Sequence, residues 1–179
     1  MKFIFDFDSV LFNTKEFLKH LYACVERAGV PKEIAQEYYK KVGGTQFSLK
    51  KLLIYLSIRE NLHEEILSKS KSFINQELLK TVQKLGKENC YIVTHANEEW
   101  QINKIKSTGL ESFFSDIIIV AGSKKEAVEK ICAKYKDEKV IFIDEKAKYF
   151  EDLDFVKYPN LKTVLYDEKG LEKLISILS

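Results

Sequence analysis

Two aspartates one residue apart, Asp6 and Asp8, follow the short apolar run Phe3-Ile4-Phe5. The run reads as a buried strand, so both carboxylates stand at its end, where they repel each other and lose water. Such a pair needs a positive partner: a divalent cation, a lysine, or both. Oxygen ligands at this spacing suit magnesium. Three further strand-like runs end in residues of matching chemistry. Thr94 follows Tyr91-Ile92-Val93, Lys124 lies past Ile117-Ile118-Ile119-Val120 through an Ala-Gly-Ser turn, and Asp144-Glu145 follows Val140-Ile141-Phe142-Ile143. Each has a plainer role taken alone: the acidic pair as a turn, Thr94 as a β-former closing a strand, Lys124 as a solvated lysine, Asp144 as a helix cap. Their joint occurrence at strand ends is what argues for a site.

These residues need a scaffold that brings four strand ends together. From about residue 78 the chain alternates strand and helix, and the strands are near-continuously apolar, which predicts a parallel sheet covered on both faces. Ligands of such a sheet bind outside the carboxyl ends of its strands. Residues 15–77 show helical spacing instead, with Phe17, Leu18, Leu21, Tyr22 and Val25 on one stripe, Gly29 as a stop, and further helices expected to follow Pro31 and to span 48–58 and 62–67. A long helix is expected from Phe73 to Leu85. The expected architecture is α/β: a Rossmann-like parallel-sheet core, residues 1–14 and 78–179, with a small all-helical cap domain at 15–77.

Composition narrows the classes. With 179 residues, 45% hydrophobic and 31% charged, the chain can bury one good core plus an insert. The formal charge of +2 and the lack of a basic stripe argue against nucleic acid. No run reaches membrane-spanning length, and Asp6 interrupts the amino terminus too early for a signal peptide, so a cytoplasmic home is expected. Cys24, Cys90 and Cys132 are widely spaced without a CxxC pair and read as small buried apolar residues.

The set Asp6 and Asp8, Thr94, Lys124, then Asp144-Glu145 resembles the four-motif signature of the haloacid dehalogenase superfamily. The resemblance extends over the whole chain, including a helical cap inserted after the first motif and the Gly-Leu-x-x-Phe-Phe-Ser-Asp-Ile-Ile pattern from Gly109. Ser9 stands where that family has glycine, and Asn13 where aspartate is frequent. The resemblance implies that Asp6 attacks phosphorus to give an aspartyl-phosphate, and that Asp8 first protonates the leaving alcohol and then deprotonates water. It implies Mg2+ held by Asp6, Asp144, the Asp8 carbonyl and Glu145, the last directly or through water. Thr94, with the backbone N–H groups of His95 and Ala96, is expected to bind phosphoryl oxygens, and Lys124 to neutralise charge.

The loop Gly43-Gly44-Thr45-Gln46 lies over the active site in the resembled branch, so Gly44, Thr45 and Gln46 are expected to contact substrate. Residues 15–77 hold eleven Lys and Arg against eight Glu, a cationic cap that would favour anionic substrates, with Lys40 and Lys41 as further candidates. The function expected is a magnesium-dependent phosphomonoester hydrolase acting on a small phosphorylated metabolite, with no nucleic-acid or membrane partner. The alternatives are a sugar-phosphate phosphomutase and a catalytically silent phospho-ligand-binding module.

Overall fold

A computed structural model describes residues 1–58 and 61–178. Five strands, β1 (Lys2–Phe5), β2 (Cys90–His95), β3 (Asp116–Val120), β4 (Val140–Asp144) and β5 (Leu161–Leu165), form one parallel sheet in the order β3-β2-β1-β4-β5. β1 is central, with Phe5 opposite Ile92 on one side and Ile143 on the other. The strand order reverses between β1 and β4, and the diverging connections leave a crevice there. Asp6 and Asp144 flank that crevice, Thr94 lies one residue before the end of the neighbouring β2, and Lys124 follows β3 one strand further out.

Side chains alternate across the sheet with period two, which divides the core into two layers. Phe3, Phe5 and Ile92 face a cluster with Leu78 and Val82 of α5 (Gln76–Leu85), Ile105 of α6 (Glu98–Thr108) and Leu174 of α8 (Gly170–Leu178). Ile4, Val93 and Phe142 face Val128, Ile131 and Cys132 of α7 (Lys125–Lys134). All three cysteines are buried free thiols, as the spacing suggested. Among the described residues no helix is long and apolar enough to cross a membrane.

The segment between β1 and α5 is helical, as its periodicity predicts: α1 (Thr14–Arg27), α2 (Lys32–Val42), α3 (Leu49–Tyr55) and α4 (Asn61–Ser68). Helix α3 is shorter than expected because Ser57 turns into the left-handed region, φ 55°. The expected long helix from Phe73 is also broken. A single 3-10 turn covers Ser70–Phe73, Ile74 is extended and pairs with Phe12, and Asn75 caps α5 by accepting from the Leu78 N–H. The two crossings of the chain therefore lie side by side, with the Asn13 N–H on the Phe73 carbonyl (2.7 Å) and the Asn75 N–H on the Leu11 carbonyl (2.9 Å). The helices between them share a core with the sheet: Phe17, Leu21, Leu49 and Ile66 belong to the same apolar cluster as Phe3 and Phe5.

Candidate active site

The first turn after β1 is held tightly enough to aim both aspartates. Asp6 donates its N–H to the Ile143 carbonyl at 2.9 Å, and the Leu11 and Phe12 N–H groups both reach the Phe7 carbonyl at 3.0 Å. Ser9 then adopts φ 61°, the left-handed conformation that glycine accepts without strain. Its N–H donates to the Phe12 carbonyl (2.8 Å) and the Thr14 hydroxyl (3.2 Å), which holds the turn despite the side chain. Asn13 caps α1 by accepting from the Glu16 N–H, a task asparagine performs as well as aspartate. Neither departure from the resembled pattern disturbs the carboxylates.

Asp6, Lys124 and Asp144 form a buried ionic group, 3%, 1% and 0% exposed. The Lys124 ammonium lies 2.9 Å from Asp6 Oδ1 and 2.6 Å from Asp144 Oδ2, with its Nζ 4.4 Å from the centre of the Tyr149 ring. Burial alone would lower the pKa of Lys124, but the two carboxylates raise it, so the ammonium stays charged. Burial pushes the Asp6 carboxyl up to about 7, with Lys124 pulling it down and Glu145 adding to the rise. Asp144 is also raised, by burial and then by Asp6, against Lys124.

Ligand atoms of Asp6, Asp144 and Glu145 all lie within 4.8 Å of one another. Asp6 Oδ1 and Glu145 Oε2 are buried without a hydrogen bond; Lys124 faces the former as an ion pair but off the hydrogen-bond direction. Buried orphan oxygens on clustered carboxylates are costly, and a hard divalent cation is the partner that such a donor set fits. Asp144 Oδ1 accepts from the Lys146 N–H at 2.8 Å, and Glu145 Oε1 pairs with the Lys146 ammonium at 2.8 Å.

Asp8 sits in different surroundings. Lys104 of α6 meets its Oδ1 at 2.7 Å, the Thr14 hydroxyl donates to the same oxygen at 2.7 Å, and Gln101 Nε2 donates to Oδ2 at 2.8 Å. Burial would raise the Asp8 carboxyl, but Lys104 and these hydrogen bonds hold it below the ordinary carboxylate value. Gln101 Nε2 also lies 3.1 Å from the Thr94 hydroxyl, so one amide ties the second aspartate to the end of β2. Gln101 and Lys104 are 0% and 4% exposed, and sequence reasoning found neither.

The phosphoryl-binding expectations meet a mixed outcome. Thr94 lines the cavity, 1% exposed. Ala96 does not line it, and its N–H donates to the Val120 carbonyl at 3.2 Å, which takes this donor out of the expected set. His95 has both ring nitrogens engaged, Nδ1 with the Tyr149 hydroxyl (2.9 Å) and Nε2 with the Ala121 carbonyl (3.1 Å). A carbonyl only accepts, so Nε2 carries the proton. Burial lowers the imidazole pKa and the nearby lysines add to this, against the Ala121 carbonyl, which favours a neutral ring. Lys125 points away to the Asp152 carbonyl and Glu129 and does not line the cavity, whereas Lys124 does.

Asp6, Asp8, Thr94, Lys124 and Glu145 open into one cavity of about 290 Å³. From the loop after α2, Gly44 and Thr45 line it, whereas Gln46 is exposed and outside; Phe47 takes the place expected of Gln46. Lys40 and Lys41 are exposed and do not line it either, so the cationic charge of the helical segment does not front the site. Tyr39 does, and a Cβ added at Gly44 would stand 2.7 Å from its hydroxyl oxygen. The Gly44→Ala variant should therefore displace Tyr39 and reorder a substrate panel by several-fold in kcat/KM. Uniform losses across the panel would instead assign the loop to folding or closure.

The chain belongs to the family of haloacid dehalogenase-like hydrolases, whose model matches residues 3–153. Solved structures of similar fold include a haloacid dehalogenase-like protein from Burkholderia xenovorans, 18% identical with a TM-score of 0.65, covering 96% of this chain and 89% of that one. A subfamily IA member from Geobacter sulfurreducens is 13% identical with a TM-score of 0.59, covering 99% and 96%. A magnesium-bound haloacid dehalogenase-type protein from Bacillus subtilis is 16% identical with a TM-score of 0.55, covering 99% and 98%. At these identities the likeness is one of fold. No match was found among curated proteins.

Proposed function

We propose that the protein is a magnesium-dependent phosphomonoester hydrolase acting on a small phosphorylated metabolite through an aspartyl-phosphate on Asp6. The observation that carries this reading is the buried Asp6, set against Lys124, with its own Oδ1 and Glu145 Oε2 both lacking a hydrogen bond, at the floor of a small cavity. Residues 15–77 serve as the cap, since Phe17, Tyr39, Gly44 and Phe47 close the cavity over the strand ends.

An Asp6 oxygen attacks phosphorus while the bond to the leaving alcohol breaks, and the alcohol oxygen takes the proton of Asp8 in its protonated form, a form that Lys104 disfavours. Thr94 and Lys124 hold the phosphoryl oxygens and balance their charge. Water then attacks the same phosphorus, Asp8 takes its proton, and the Asp6 carboxylate is released with phosphate. Asp6, Asp144, Glu145 and the Asp8 carbonyl would hold the magnesium, which when bound lets the anionic nucleophile approach an anionic phosphoryl group. The magnesium-bound Bacillus relative and the fit of the donor set support that choice of metal.

With Asp8 held ionised by Lys104, the base of the second step is ready in advance. Lys104→Met should raise the Asp8 pKa, because the nearest positive charge is gone. Dephosphorylation slows as pH falls through that pKa, so the acid limb of a single-turnover profile should move up by about 1–3 pH units. An unmoved limb would mean that Asp8 is not the base. A mutase needs a second phosphate-binding site. Here each ammonium group lining the cavity already faces a carboxylate, which favours the hydrolase reading.

Phosphate release from a panel of phosphorylated metabolites, with magnesium and with a chelator, tests the proposal. Release that depends on magnesium is expected. Release undiminished by the chelator rejects the metal assignment, and none from any ester rejects the hydrolase.

A further inference from the structure

One part of the cavity wall is a continuous run of rings. Phe17 of α1 lies against Trp100 of α6 with centroids 6.0 Å apart, Trp100 against Phe47 at 5.5 Å, and Phe47 against Tyr39 of α2 at 5.0 Å. All four line the same cavity as Asp6. The interplanar angles of 40°, 80° and 58° are tilted and edge-on packings of these rings on one another, and Phe17, Phe47 and Trp100 are buried while Tyr39 is half-buried and offers the most open ring. Among the described residues the hydroxyls of Ser9, Tyr39 and Thr45 have no hydrogen bond within the protein, while that of Thr14 is committed to Asp8 and Ser9.

The charges of the cavity are all taken. Lys104 faces Asp8, Lys124 faces Asp6 and Asp144, and Lys146 faces Glu145. A second phosphate or a carboxylate on the substrate would find no unpaired cation. A polyol would exchange its water for the hydroxyls of Ser9, Tyr39 and Thr45, and buried hydroxyls left short of partners are costly. A flat uncharged ring loses little water and meets aromatic carbon along this part of the lining.

Resting on the phosphomonoester reading above, we infer that this wall is the leaving-group subsite and takes an aromatic ring. The substrate class is then a phosphate monoester whose alcohol carries a flat, uncharged aromatic ring, seated among Phe17, Tyr39, Phe47 and Trp100. Trp100 and Tyr39 are substrate-contacting residues in this arrangement, beyond their part in helix packing.

Trp100 is the single tryptophan of the chain, so its fluorescence reports occupancy of this wall without turnover. Benzylphosphonate and cyclohexylmethylphosphonate share the charged head and nearly the same bulk and differ in the ring. Titrated onto the full chain with magnesium, the benzyl compound should bind about tenfold more tightly, and Tyr39→Leu should cut that ratio by about threefold. Equal affinities, or preference for the saturated ring, overturn the subsite; so does a ratio that Tyr39→Leu leaves unchanged. Turnover of benzyl and cyclohexylmethyl phosphate, whose alcohols are of similar acidity, separates this from the underlying reading. A ring preference in binding without phosphate release from either ester retires the hydrolase and keeps the subsite. Equal release from both esters with equal binding retires the subsite and keeps the hydrolase.

Discussion

Replacing Asp6 with asparagine lowers phosphate release by on the order of 10⁴-fold or more, on every substrate and at every magnesium concentration. An amide is a poor nucleophile, and the exchange also removes a negative ligand from the donor set. Unfolding does not explain the loss, because Lys124 keeps its 2.6 Å contact with Asp144 and the side-chain volume is preserved. The variant should even be more stable than the parent above pH 7 without metal, since the fold disfavours the ionised Asp6, pushed up to about 7. Asp8→Asn gives the complementary result. Its backbone carbonyl is intact, and an aryl phosphate needs little protonation to leave, but hydrolysis of the intermediate has lost its base. A single phosphoryl group should therefore accumulate, found by intact mass after acid quench and mapped to residues 3–14. Label on His95 or a cysteine, or normal turnover by Asp6→Asn, rejects the assignment.

Lys124→Met strands two buried carboxylates. Breaking a buried ion pair from one side costs about 3–5 kcal/mol, and here one ammonium serves both Asp6 and Asp144. The sign of the pH dependence follows from the raised carboxyl groups. Between about 4 and about 7 the folded state holds a proton on Asp6 that the unfolded chain has released, so metal-free stability falls as pH rises through that window. Without Lys124 both carboxyls rise further and the window extends upward. Urea unfolding with a chelator should thus show a larger deficit for the variant at pH 8 than at pH 5, and magnesium should narrow it. A deficit independent of pH and magnesium would mean that Lys124 matters for packing alone.

Much of this was legible in the sequence because burial and charge leave few options at strand ends. A run such as Val140–Ile143 must be a buried strand, so the carboxylate that follows must emerge at its edge. Helix α6 was harder to read. Its apolar pattern of Trp100, Ile102 and Ile105 invites Ile102 inward, yet Ile102 is 38% exposed while Lys104 is 4% exposed. The reason is tertiary: the buried face of α6 meets Asp8, and charge there outweighs hydropathy. Ala96 misled for a related cause, since β2 runs on to His95 and Val120 of the neighbouring strand captures the next N–H. In the loop after α2, contact passes from Gln46 to Phe47, a shift of one residue that no periodicity in an irregular segment records.

The central place of β1 in the sheet bears on how the chain comes to be active at all. Phe3 pairs with Cys90 on one side and Ile141 on the other. During synthesis the strand that carries Asp6 emerges ahead of both its neighbours and waits for them, while the helices of the insert can form from local contacts. Pairings so distant in sequence are slow to close, and until they do the apolar Phe3-Ile4-Phe5 is exposed to other chains. The sheet around Asp6 is thus completed only once β4 has been made, and a nascent chain stalled before β4 would hold a formed insert and a β1 with one unpaired edge.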